Sequence, residues 1–390
     1  MTALCGAGIR SGVWKTTPLN ATASWTSAKN AWNGRTTDGA FFRKMKTYKP
    51  RGRYRLLAEW ETAGPLMLAY PAAHTDWNYM LAEAQDQCLR LVGAMLNAGQ
   101  RVLLLVPPQQ SPALSPHPLL KTVEVEYNDT WTRDYGALTV ADSQRQMRLL
   151  DFGFNAWGLK FAADKDNLVT LQLSNAELLH NCRNCRDFIL EGGSVDTDGQ
   201  GTLLTTTRCL CSPNRNGGKS KAELNTLLHN YLGVNHVLWL DFGALEGDDT
   251  DSHIDTLARM APHDTIIYIS DGGEGNGQGE ELRLMASQLR SFRTAAGNPF
   301  NLVELPLPDP IYDEEGNRLP ATYANYLITP THLFVPVYGQ PMKDDLAVKT
   351  LQSIFTGHEA VCVDCRHYLR QHGSLHCATM QLPAELCQLQ

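Results

Sequence analysis

The sequence predicts an α/β protein built of small mixed sheets, each with a helix, repeated around a centre. Three observations point there. Short apolar runs of strand length outnumber amphipathic helical stretches. Several of those runs are separated by turns, whereas a doubly wound parallel sheet alternates strand and helix more strictly. No glycine fingerprint opens a helix after the first strand and there is no Walker loop, which excludes the common nucleotide-binding α/β classes.

In chain order, residues 1–52 read as an irregular, basic leader and 53–390 as a single domain. The first thirty-nine residues show no sustained apolar period. Between Arg43 and Arg55 stand seven basic residues (Arg43, Lys44, Lys46, Lys49, Arg51, Arg53, Arg55) and no acidic one. A solvated leader is the expectation, because nothing downstream supports nucleic-acid chemistry. Asn20-Ala21-Thr22 matches a glycosylation acceptor only by chance, since no apolar segment of a secretory signal precedes it.

From about Leu57 the chain becomes regular. Strands are expected at 65–70, 101–106, 122–127, 136–140, 147–152, 201–205, 236–240, 265–269, 302–305, 333–337 and 360–363. Helices are expected at 77–99, 221–232, 279–296 and 343–355. In the first, Met80, Ala84, Cys88, Leu91, Val92, Met95 and Leu96 fall on one helical face. Gly357 is expected to supply the left-handed residue that ends the last.

Composition excludes several function classes. With 43% hydrophobic and 19% charged residues the chain is globular. A net charge of −7, from 34 basic and 41 acidic residues, argues against a general nucleic-acid coat. No stretch reaches the roughly 20 apolar residues that span a bilayer, so no membrane partner is expected and the cytoplasm is the expected compartment. Ten cysteines in 390 residues are too sparse for a disulfide scaffold, so free thiols are expected. Cys182-Arg183-Asn184-Cys185 and Cys362-Val363-Asp364-Cys365 keep a rival open, a four-thiolate zinc module, if the fold brings the pairs together.

Four segments concentrate acids, a histidine and a cysteine in turn-like contexts: Asn128-Asp129-Thr130-Trp131-Thr132-Arg133-Asp134-Tyr135-Gly136, Leu190-Glu191-Gly192-Gly193-Ser194, Thr250-Asp251-Ser252-His253-Ile254-Asp255-Thr256, and His372-Gly373-Ser374-Leu375-His376-Cys377-Ala378-Thr379. Singly, each has an ordinary explanation. Asp134 pairs with Arg133 in a turn; Glu191-Gly192-Gly193 is a turn needing positive φ; Asp251 or Ser252 caps a helix near His253; Cys377 is a small buried hydrophobe. Together they are harder to dismiss.

In this order the four segments resemble the agmatine deiminase and bacterial-type (Porphyromonas-type) peptidylarginine deiminase family of the guanidino-group-modifying superfamily. Ala58-Glu59-Trp60-Glu61, Tyr70-Pro71, Asp151-Phe152-Gly153-Phe154-Asn155-Ala156-Trp157-Gly158, Asn214-Arg215-Asn216 and Leu319-Pro320-Ala321-Thr322-Tyr323-Ala324-Asn325-Tyr326 extend the resemblance over roughly 53–383. It implies a five-bladed α/β propeller (pentein) with pseudo-fivefold symmetry, whose blades aim distant motifs into one central pit. It also implies roles. Cys377 matches the nucleophile and His253 the general acid/base. Glu191 matches an acid that interacts with the histidine, and Asp134 and Asp255 match the carboxylates that grip the guanidinium. Trp131, Gly192 and Gly193 line the pit, and Asn325 lines or supports it.

The chemistry suits those residue types. A guanidinium is planar and permanently charged, so two carboxylates on its edges fix its plane and expose its carbon. That carbon is a poor electrophile, and a thiolate is a nucleophile equal to it. The expected reaction is hydrolysis of agmatine to N-carbamoylputrescine and ammonia through a thiouronium on Cys377, with no metal or cofactor. Peptidylarginine or free arginine are the alternative substrates, and a fold without activity is a further rival. The expected partners are the small cationic substrate and, in a homo-oligomer, a second copy.

Overall fold

The computed structural model describes residues 45–48, 53–270 and 278–389. Among them, five sheets of three or more strands share one plan. Each holds a parallel strand pair joined through a helix, with a short strand antiparallel to the first member of the pair. In the first, Leu66–Ala69 pairs with Val102–Val106 across helix Leu81–Asn97; Leu120–Glu124 continues the sheet, and Met380–Gln381 runs antiparallel to Leu66 and Met67. The second pairs Met147–Gly153 with Cys182–Ile189 around Val169–Asn175, with Leu138–Asp142 antiparallel.

The third pairs Thr202–Thr206 with His236–Leu240 around Lys221–Leu232, with Val195–Thr197 antiparallel. The fourth pairs Thr265–Ser270 with Asn301–Pro306 around Gly279–Ser291, with Ala258–Ala261 antiparallel. The fifth pairs His332–Val337 with Glu359–Asp364 around Pro341–Ile354, with Leu327–Ile328 antiparallel. A two-stranded ribbon, Ile311–Tyr312 with Arg318–Leu319, stands apart from the plan.

All eleven expected strands and all four expected helices lie within or across these elements. The central parallel strands, such as Val102–Val106, are buried along their whole length and so read as continuous apolar runs. The Leu81–Asn97 helix buries Ala84, Cys88, Leu91, Val92 and Met95, the face its spacing defines. Ser220 and Glu223 form a capping box at the start of Lys221–Leu232. That helix ends at Gly233, where φ is 67° and an added Cβ would sit 2.0 Å from the Tyr54 carbonyl oxygen.

The antiparallel strands Val195–Thr197, Ala258–Ala261, Leu327–Ile328 and Met380–Gln381 escape a period-based reading because they are too short. Cys182–Ile189 escapes it because Arg183, Asn184, Arg186 and Asp187 interrupt any apolar run. Gly357 does not end its helix: Pro341–Ile354 stops at Phe355 with φ −100°, and Gly357 has no positive φ. Of the expected leader, Met45–Tyr48 is described, and there Lys46–Thr47 pairs parallel with Arg183–Asn184. Arg43, Lys44, Lys49, Arg51 and Asn20-Ala21-Thr22 lie outside the described residues. No helix among the described residues is long and apolar enough to cross a membrane.

The four-thiolate module fails on geometry. Cys182 and Cys185 sit three apart on one extended strand, which points them to opposite faces. Cys362 is exposed while Cys365 is buried, in a different sheet. Among the described residues none of the four belongs to a metal-ligating cluster.

Candidate active site

The chemistry-bearing residues share one address in the repeated plan, the turn just before the short antiparallel strand. Asp134 precedes Leu138–Asp142; Glu191 to Gly193 precede Val195–Thr197; His253 and Asp255 precede Ala258–Ala261; Asn325 precedes Leu327–Ile328; Cys377 precedes Met380–Gln381. Side chains far apart in sequence thereby meet. A Cβ placed on Gly193 would lie 2.7 Å from His253 Nδ1, 2.8 Å from Asp134 Oδ1 and 3.0 Å from Asp255 Oδ2. Gly193 and Gly192 both have ordinary φ, so the expected positive-φ turn is absent and Gly193 is needed for room.

Cys377 is buried, and its Sγ lies 3.2 Å from Asn325 Nδ2 and 3.7 Å from Asp255 Oδ2. Burial, with repulsion from Asp255 and Asp134, pushes its thiol well above the usual range. The sulfur is therefore a thiol until positive charge arrives beside those carboxylates.

Asp134 accepts from the Gly193 amide at 2.9 Å and from Trp157 Nε1 at 2.9 Å. It does not pair with Arg133, which donates to the His376 carbonyl and to Gln381. Burial raises the Asp134 carboxyl. Asp255 accepts from His376 Nδ1 at 2.7 Å through Oδ2. Burial opposes its charge too, yet that bond and the positive imidazoles hold Asp255 below its usual range.

His253 Nδ1 stands 3.7 Å from Asp134 Oδ1, and neither ring nitrogen has a hydrogen-bond partner among the described residues. Burial opposes its charge most, but the Asp134 carboxylate together with Cys209 and Glu191 outweighs it and raises the imidazole to about 10. Asp255 Oδ1 is likewise buried without a partner. Two buried polar groups, the His253 imidazole and the Asp255 Oδ1 oxygen, thus stand in one site without a hydrogen-bond partner among the described residues.

Glu191 interacts with His253 through its charge, which helps raise the imidazole, but its hydrogen bonds go elsewhere. Its oxygens take Arg215 Nε at 2.8 and 3.1 Å in a fully buried ion pair, and His253 is not hydrogen-bonded to it. Arg215 also donates to Asp251 Oδ2 and the Thr250 carbonyl, so it ties the Glu191 turn to the one carrying His253. Asp251 thus caps no helix; the short turn Ile254–Thr256 starts at His253 without a side-chain cap. Glu191, Cys209 and His253 bring ligand atoms within 4.8 Å of one another, a spacing that could hold a metal. The Arg215 guanidinium on Glu191 opposes a second cation there.

Trp131, Asp134 and Cys377 line one cleft of about 460 Å³, open solvent at its mouth included, together with Asp76, Asp129, Trp157, Phe161 and Asp249. Glu191, His253 and Asp255 lie buried behind that lining. Gly192 does not line it; it borders a separate cavity with Glu59, Arg133, Arg259 and His376. Burial, with repulsion from Asp76 and Asp249, pushes Asp129 up to about 7.

Sequence reasoning passed over Trp157, Arg215, Glu59 and His376 as site residues, though all sat in segments it singled out. Trp157 lies on a left-handed turn in which Ala156, Trp157, Gly158 and Leu159 have φ of 51°, 53°, 87° and 70°. Such a run is costly for L-residues and here it aims an indole N–H at Asp134. Asn155-Ala156-Trp157-Gly158 was the available signal.

The model of Porphyromonas-type peptidyl-arginine deiminases matches residues 55–383. A relative from Mycoplasma mycoides named "Putative agmatine deiminase" is 31% identical over 366 residues, 87% of this chain and 99% of its own. The crystal structure of the "Putative Arginine Deiminase" from Porphyromonas gingivalis superposes with TM-score 0.80 at 40% identity, over 86% of this chain and 100% of that one. A C. jejuni agmatine deiminase with substrate bound superposes with TM-score 0.76 at 35% identity, over 84% and 95%.

Proposed function

The chain belongs to the Porphyromonas-type peptidyl-arginine deiminase family, whose matched relatives act on guanidino C–N bonds, and from that premise we propose that it is an agmatine deiminase. The observation that carries the choice of substrate is the acid-rich lining of the cleft. Asp76, Asp129 and Asp249 line it and no lysine or arginine does. A tail ending in an ammonium suits such an acid-rich lining and would itself favour the ionised form of those acids; the α-carboxylate of free arginine would meet repulsion there. Peptidylarginine is the second reading, favoured by the match to the peptidyl-arginine deiminase model over residues 55–383 and by 38% identity to a solved "putative peptidyl-arginine deiminase".

The guanidinium enters between Asp134 and Asp255 and neutralises the two carboxylates that hold the Cys377 thiol un-ionised. The thiol releases its proton to solvent water as the substrate arrives, and the thiolate adds to the guanidinium carbon. His253, already an imidazolium at neutral pH, donates to the departing nitrogen, and ammonia leaves. A thiouronium remains on Cys377. Neutral His253 then takes a proton from water as its oxygen adds to the same carbon, the C–S bond breaks, and N-carbamoylputrescine is released. Glu191 supports His253 through the Arg215 bridge. Asn325 steadies the sulfur, and Trp131 walls the cleft.

The five repeated sheets would form the blades of a pseudo-fivefold propeller, with Met380–Gln381 completing the first, in a cytoplasmic enzyme that feeds putrescine synthesis. The deciding experiment incubates the protein with agmatine, arginine, an arginyl peptide and guanidinobutyrate and scores ureido product. Agmatine should lead by at least about tenfold in kcat/KM, the scale of one charged contact. A lead for the peptide selects the second reading. Turnover of agmatine at the wild-type rate by Cys377→Ala overturns the covalent route.

A further inference from the structure

His376 precedes the thiol in sequence, yet its ring serves a neighbour. Nδ1 lies 2.7 Å from Asp255 Oδ2, and Nε2 lies 2.9 Å from Glu59 Oε2. Carboxylates only accept, so the ring is the donor in both contacts. The imidazole is almost completely buried, and its backbone N–H is fixed by Asn325 Oδ1 at 2.8 Å. Glu59 is in turn gripped by the buried Arg259, which also donates to Asp196 Oδ2 at 2.5 Å. The ring has no freedom to turn. Asp255, held at Oδ2, keeps Oδ1 without any partner among the described residues.

We propose that His376 is a positioning residue for the cation-binding carboxylate: by donating from Nδ1 to Oδ2 it sets the rotation of Asp255 and reserves Oδ1 for an N–H of the guanidinium, while Glu59 anchors the far side of the ring. The inference rests on the reading of this site as guanidinium-binding. It separates two tasks that meet at Asp255. The carboxylate answers to the substrate through one oxygen and to the scaffold through the other. Loss of His376 should therefore weaken selection of a cation while sparing the intrinsic reactivity of Cys377.

Two alkylating reagents separate these effects: the cationic chloroacetamidine and the neutral chloroacetamide. With each, the Cys377 sulfur forms a C–S bond as chloride leaves with the C–Cl electron pair. The ratio of their rates reads the carboxylate clamp independently of thiol reactivity. Wild-type protein should favour the cationic reagent; if it does not, the guanidinium reading itself fails.

Given that preference, His376→Gln should lower the ratio by about tenfold or more, because its amide nitrogen falls near the place of Nε2 and not of Nδ1. His376→Asn, whose Nδ2 takes the place of Nδ1, should keep the ratio within about threefold. In turnover, His376→Gln should raise KM for the guanidine more than it lowers kcat. Glu59→Gln, which weakens the anchor, should lower the ratio in the same direction. An undiminished ratio in His376→Gln, or equal losses in the Gln and Asn variants, overturns the proposal. An undiminished ratio in Glu59→Gln overturns the anchoring.

Discussion

Asn325 holds Cys377 at two points: its Nδ2 lies 3.2 Å from Sγ, and its Oδ1 accepts the Cys377 backbone N–H at 3.3 Å. With the Ser374 backbone, the amide is thus a neutral donor to a sulfur that also faces the Asp255 and Asp134 carboxylates. It works against the burial and repulsion that keep the thiol protonated. Asn325→Ala should move the pH midpoint for alkylation of Cys377 upward. It should also lower kcat by about tenfold or more, in line with ~1.5–3 kcal/mol for a hydrogen bond to a charged group. A pH series with a neutral haloacetamide measures the first, and steady-state kinetics the second.

Asp134 and Asp255 are held differently, and their amides should behave differently. Asp134→Asn keeps a side chain able to accept from the Gly193 amide and from Trp157. Asp255→Asn places an amide against the donor Nδ1 of His376. Each should lose at least ~2 kcal/mol in kcat/KM for a guanidine, since each removes charge from a dry site. Asp255→Asn should also lower the melting temperature more than Asp134→Asn does. Unchanged kinetics in both variants would remove the clamp.

Gly193→Ala tests the crowding at the meeting point. Its backbone accepts alanine, but the new methyl would lie 2.7 Å from His253 Nδ1 and 2.8 Å from Asp134 Oδ1, closer than side-chain carbons approach other atoms. Activity should fall by about a hundredfold or more, since small displacements of reacting groups carry losses of that size. Circular dichroism should remain that of the parent.

His253 carries a signature in stability. Its folded value of about 10 lies above the ordinary 6.5, so the folded protein binds this proton more tightly than the unfolded chain. The contribution is fully present below pH 6.5 and is lost as pH rises to about 10. Urea midpoints of the wild type and of His253→Gln should differ most near pH 6.5 and converge towards pH 10. A gap that widens with pH would contradict the imidazolium.

How much of this could be read beforehand depended on what each residue does. The buried parallel strands were legible because burial on both faces leaves unbroken apolar runs, as in Val102–Val106. The short antiparallel strands that carry the site have no room for a period. Cys377, His253, Asp134 and Asp255 stood out as reactive types in turn-like segments and converge in space. Trp157, Arg215 and His376 did not, because an indole, a guanidinium and an imidazole that serve by donating hydrogen bonds look like ordinary interior residues in sequence. Glu191 was singled out, yet its bond to Arg215 lies across 24 positions and follows only from the fold.

The pairing of Met380–Gln381 with Leu66 and Met67 gives the polypeptide a timing. The sulfur and the strand that closes the first sheet emerge from the ribosome together, long after Asp134, Glu191, His253 and Asp255. A nascent chain shorter than this point has every carboxylate and the imidazole but no nucleophile. On the proposed chemistry, hydrolysis therefore waits until Met380–Gln381 pairs with Leu66 and Met67, and synthesis interrupted before Cys377 yields inert products.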